Sequence, residues 1–107
     1  MTTKAKTQSQ QARKYLEKLS GGPLTFGGLL TAIREGEEMA QVDFAEKLGI
    51  SRSHLCDIEK GRKVVAAARA ARFARILGYP PESFVALALQ AQVNEAGLKL
   101  NVTVEAA

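Results

Sequence analysis

Arg52, Ser53 and Asp57 place a guanidinium fork, a hydroxyl and a carboxylate within one short stretch of the chain. At roughly 100° per residue, starting from Arg52 at zero, Cys56, Ser53 and Asp57 fall near 40, 100 and 140°. All four share one side of a helix, while Leu55 and Ile58 fall near 300 and 240° and face inward. Such a patch donates and accepts hydrogen bonds to a partner and is built for contact. His54 and Cys56 are the only histidine and the only cysteine. Neither a nucleophile with its base nor a cluster of metal ligands can be assembled from them, so we expect no enzyme, no cofactor and no metal. The single cysteine also excludes an internal disulfide.

The patch needs a helix to carry it and further helices to hold that helix. Ser51 is suited to cap a helix running to about Lys60, where Gly61 stops it. Ahead of it, Gln41 to Leu48 predicts a two-turn helix burying Val42 or Phe44 together with Ala45 and Leu48. Gly49 is suited to the positive φ of its C-terminal turn. Thr25 caps an earlier helix from about Phe26 to Glu37 or Glu38, with Phe26, Leu29, Leu30 and Ile33 on one side. Gly27 and Gly28 weaken its first turn by about 1 kcal/mol each relative to Ala, so packing must supply the difference.

Downstream, Ala66 to Leu77 turns Ala70, Phe73, Ala74 and Leu77 inward and Arg69, Arg72 and Arg75 outward. Pro81 then opens a last helix to about Glu95. That helix is apolar on two sides, Phe84, Leu87, Ala88 and Ala91 forming one and Val85, Leu89, Val93 and Ala96 the other. After Gly97, Leu98, Leu100, Val102 and Val104 alternate with polar residues, which predicts a β-strand. A lone strand leaves its backbone groups unsatisfied, so the pattern predicts pairing with a second copy or another protein.

The 107 residues suit one domain with a modest core. The composition, 46% hydrophobic and 24% charged, is that of a folded soluble protein. No apolar run approaches the roughly 18 residues of a membrane span. No secretory leader is visible near the N-terminus, and the expected location is the cytoplasm. The net charge of +4 is unevenly spread. Lys4, Lys6, Arg13, Lys14 and Lys18 make residues 1–25 a basic arm, expected to be partly disordered with a short helix about Gln10 to Leu19. Arg52, Lys60, Arg62, Lys63, Arg69, Arg72 and Arg75 form a second basic block. Positive charge gathered this way points to a polyanionic partner such as nucleic acid.

Arg34, Gln41, Ala45, Gly49, Glu59 and Gly61 fall at intervals of six, three, three, nine and one intervening residues. This spacing resembles the helix-turn-helix of the Cro and phage-repressor family, also called the XRE family, over residues 26–78. The resemblance implies an all-α, five-helix, lambda-repressor-like fold, to which the chain's own pattern adds the C-terminal strand. It covers the helix-turn-helix core of residues 26–78, and the chain's own charge and apolar patterns add the arm of residues 1–25 and a dimer or partner surface in residues 79–107. It implies that the second helix lies in the major groove of double-stranded DNA. Arg52, Ser53 and Asp57 would then read base edges, arginine donating to guanine and aspartate accepting from cytosine. Gln41, Ser51, His54, Lys60, Arg62 and Lys63 would meet the DNA backbone. Arg34 and Glu59 would form an internal salt bridge. Ala40 departs from the Ser or Thr usual before the glutamine, at a cost of about 1 kcal/mol.

The expected function is a dimeric repressor on a palindromic operator, with Val85, Leu89, Val93, Leu98, Leu100, Val102 and Val104 as the dimer or partner surface. The alternative is an antitoxin of a type II toxin-antitoxin module, with a toxin protein as second partner. An adaptor that binds protein only is the option without DNA.

Overall fold

The structure is a computed structural model that describes residues 24–107. The expected basic arm lies outside the described residues, apart from Leu24 and the cap residue Thr25. Five helices follow in order: α1 Phe26–Gly36, α2 Gln41–Leu48, α3 Arg52–Glu59, α4 Ala67–Leu77 and α5 Pro81–Glu95. None is long and apolar enough to cross a membrane.

Two of the five helices open on a side-chain cap. Thr25 Oγ1 accepts from Gly28 N at 3.0 Å to open α1, and Ser51 Oγ accepts from His54 N at 3.0 Å to open α3. Ala40 leaves α2 without a side-chain cap. Gly49, at φ 75°, lets Ile50 N reach Ala45 O at 3.0 Å and turns the chain sharply from α2 into α3.

The core is continuous. Phe44 and Leu48 of α2, Leu55 and Ile58 of α3, Phe73 of α4 and Phe84 of α5 are nearly inaccessible to solvent. Val42 is instead 56% exposed, so it is Phe44 that α2 buries together with Ala45 and Leu48. Phe26 meets Phe84 edge to face, with ring centroids 5.9 Å apart, and lies 6.5 Å from Phe73. Aromatic pairs of this kind add to simple area burial. The rings join the start of α1 to the α4–α5 pair.

Gly27 answers why a glycine sits in the first turn of α1. A Cβ there would lie within 2.7 Å of the Glu59 carbonyl oxygen and closer still to that of Ile58. The glycine lets α1 cross directly over the backbone at the end of α3, and this contact offsets its poor helix propensity.

The predicted C-terminal strand is not formed. No β-strand occurs among the described residues, and residues 96–107 follow α5 without regular secondary structure apart from a turn at Ala96–Gly97. Leu98 N donates to Val93 O at 3.2 Å, and the chain turns back at Gly97. The side chain of Gln90 then holds it: Oε1 accepts from Val102 N and Nε2 donates to Leu100 O, both at 2.8 Å. A strand needs a ladder of backbone partners. Here one glutamine amide satisfies two of those backbone groups against α5. Val102 and Val104 are half-buried, whereas Leu98 and Leu100 are 51% and 59% exposed.

Candidate nucleic-acid interface

α3 has a buried rear and an open front. Leu55 and Ile58 fix the rear in the core, and Glu59 completes it with a polar tie. Arg34 Nε donates to Glu59 Oε2 at 2.8 Å and Arg34 Nη2 to Oε1 at 3.1 Å. Gln41 Nε2 adds a third bond to Oε1 at 3.0 Å, and Arg34 Nη1 reaches Met39 O at 3.1 Å. One carboxylate thus ties α1, α2 and α3 together. With its side chain only 5% exposed, Glu59 depends on these donors to offset its lost hydration. The bond from Glu59 holds the Arg34 guanidinium above its usual pKa, against the opposing effect of burial.

On the front, Arg52 and Ser53 are exposed and make no side-chain hydrogen bond or ion pair with any described residue. His54, Cys56 and Asp57 are half-buried beside them. Asp57 is not open in the same way. Arg62 Nε donates to Asp57 Oδ1 at 2.9 Å, and Lys63 Nζ stands 3.9 Å from Oδ2. Arg62 Nη2 also approaches Cys56 Sγ at 3.7 Å.

The turn after α3 creates this arrangement. Gly61 takes φ 74°, and Arg62 N and Lys63 N fold back onto Asp57 O at 2.8 and 3.3 Å. A left-handed glycine in this position satisfies the last carbonyls of a helix and reverses the chain. It brings Arg62 back over the helix it follows. Farther along, Val65 is buried and its carbonyl accepts from Gln92 Nε2 at 3.3 Å, which fixes the loop to α5.

The remaining candidates surround this front. Lys60 and Lys63 are exposed in the turn, and Ser51 Oγ accepts the capping bond while its O–H remains a donor. One N–H of the Gln41 amide is committed to Glu59, while its second N–H, its amide oxygen and the backbone N–H at the start of α2 remain uncommitted. Burial, then the fields of Arg69 and Lys63, hold the His54 imidazole below its usual pKa, with Asp57 opposing. Arg69 therefore belongs to the same electrostatic surface. The sequence marks it only as one of three outward arginines on α4, because its influence on His54 depends on where tertiary packing places α4. Val85, Leu89 and Val93 lie on α5, all half-buried, and Leu98 and Leu100 are exposed in the segment that follows it.

Two short helices joined by a sharp glycine turn, the second presenting a polar front flanked by cations, define the helix-turn-helix class of DNA-binding domain. The family described as a helix-turn-helix domain matches residues 25–87, more than half of the chain, and the chain belongs to that family. No curated protein and no solved structure matches it.

Proposed function

We propose that this protein is a sequence-specific transcriptional regulator, a dimeric repressor of the XRE type, whose α3 enters the major groove with its N-terminal turn foremost. The observation that carries this reading is the open pair Arg52 and Ser53 on a helix whose rear is locked by Glu59. A rigid helix with uncommitted donors can exchange water for base edges without first breaking internal bonds. Ser51, His54, Lys60 and Lys63, with the backbone N–H of Gln41, meet phosphates on either side. A second copy bound through the apolar rim of Leu89, Val93, Leu98 and Leu100 places two α3 helices on half-sites roughly 34 Å apart. That apolar rim, exposed at Leu98 and Leu100, also supports a second reading, in which a toxin protein covers it and the chain is an antitoxin repressing its own operon.

The test is binding to duplex DNA taken from upstream of the chain's own gene, across a salt series. Affinity should fall steeply and linearly with the logarithm of salt concentration. Arg52→Ala should abolish preference at one base position, lowering affinity for the preferred site by about 1–3 kcal/mol. Binding that is indifferent to salt, or an unchanged footprint for Arg52→Ala, contradicts the proposal. Co-purification of a neighbouring gene product that is lost on replacing Leu98 and Leu100 with Ser would favour the antitoxin reading over the simple repressor.

A further inference from the structure

We infer that Arg62 is a further base-reading residue and that Asp57 is the residue that positions it. This deepens the function proposed above and rests on the docking of α3 given there. Asp57 holds Arg62 at two points, its carbonyl accepting from Arg62 N at 2.8 Å and its carboxylate from Arg62 Nε at 2.9 Å. Arg62 Nη2 lies 3.7 Å from Cys56 Sγ. The guanidinium is therefore laid across Cys56 and Asp57, on the face that also carries Arg52 and Ser53, and is not extended toward the flanks of the helix.

A side chain in that position enters the groove with α3 and meets base edges before it can reach a phosphate. Its side chain remains 56% exposed, with Nε committed to the carboxylate and the Cys56 contact long and weak. The two terminal nitrogens keep N–H groups for a pair of acceptors such as guanine O6 and N7, and the fork is already oriented. Asp57 has the opposite character. Its carboxylate already serves Arg62 and stands 3.9 Å from Lys63 Nζ. Oδ2 keeps acceptor capacity, but a cytosine amine there would have to compete with the two cations already gathered at this carboxylate. Lys63, a point charge whose ammonium stands farther from the carboxylate at 3.9 Å and offers no planar fork, remains suited to the DNA backbone.

The experiment is selection from a double-stranded DNA library with a randomised centre, using the full chain and the variants Arg62→Ala, Asp57→Ala, Asp57→Asn and the double variant Asp57→Ala/Arg62→Ala. The wild type should enrich a guanine at one position per half-site that Arg62→Ala no longer enriches, with roughly tenfold weaker binding to the selected site. Asp57→Ala should lose the same guanine while binding unselected DNA as well as the wild type or better, since it removes a negative charge. A folding defect would weaken both. Asp57→Asn, which can still accept from Nε, should keep part of the preference, and the double variant should be no worse than Arg62→Ala. Equal weakening of all sequences by Arg62→Ala, or loss of a different base position in Asp57→Ala, overturns the inference and leaves the DNA-reading function standing. No enrichment by the wild type overturns both.

Discussion

Helix α3 carries two acidic residues, each bound to an arginine Nε at nearly the same distance, 2.8 Å for Glu59 and 2.9 Å for Asp57. Their surroundings separate them. The Glu59 and Arg34 side chains are 5% and 17% exposed, whereas those of Asp57 and Arg62 are 29% and 56% exposed. A buried carboxylate that loses its partner keeps the cost of desolvation without the compensating bonds, while an exposed one is rehydrated. The rear pair accordingly holds the fold, and the front pair arranges a surface. Bond length alone does not distinguish a pair that anchors the interior from one that orders the surface; burial does.

The largest way to test that contrast is to remove each arginine in turn. Arg34→Ala should destabilise the protein by about 3–5 kcal/mol, read from urea unfolding, because Glu59 is left buried with only Gln41 as side-chain donor. The midpoint for Arg62→Ala should stay close to that of the wild type. Equal losses would erase the distinction between rear and front.

A smaller effect concerns protons at the front. His54 has its pKa lowered by burial and by the fields of Arg69 and Lys63. The folded state therefore binds this proton less readily than the unfolded chain, whose imidazole titrates near about 6.5. The corresponding stability is fully present above that value and is lost as pH falls through the lower folded pKa. Unfolding midpoints measured down a pH series should show a decline in this window that His54→Gln reduces. An identical decline in His54→Gln would place its origin elsewhere.

Much of the scaffold was legible from the sequence. Ser51 and Thr25 announce their helices by residue type, and apolar spacing puts Leu55, Ile58, Phe73 and Phe84 on inward faces, where burial is found. The C-terminal segment shows the limit of such patterns. Alternation of Leu98, Leu100, Val102 and Val104 states which side chains share a side, but not whether a second strand exists to complete the ladder. Gln90 took two of the backbone bonds expected of such a strand, and a glutamine on a helix carries no sequence mark of that role.

The site was legible to a similar depth. The wheel groups Arg52, Ser53, Cys56 and Asp57 correctly by angle, yet treats Asp57 as free. Its bond to Arg62 spans the end of the helix and depends on the left-handed turn at Gly61, which helical periodicity does not describe. Gln41 is similar: its place at the start of α2 suggested the DNA backbone, while its amide nitrogen is drawn to Glu59, distant in sequence. Gly27 read as a weak helix residue until the crossing over Ile58 and Glu59 supplied its purpose.

The most direct test of the central claim, that the front of α3 is the surface that meets DNA, is an NMR titration of the full chain with duplex DNA. Amide shifts should concentrate on Ser51 to Asp57, Lys60 to Lys63 and the start of α2, with the ends of the Arg34–Glu59 tie little changed. Shifts confined to α5 and the residues after Gly97, with Arg52 and Ser53 unmoved, would contradict it.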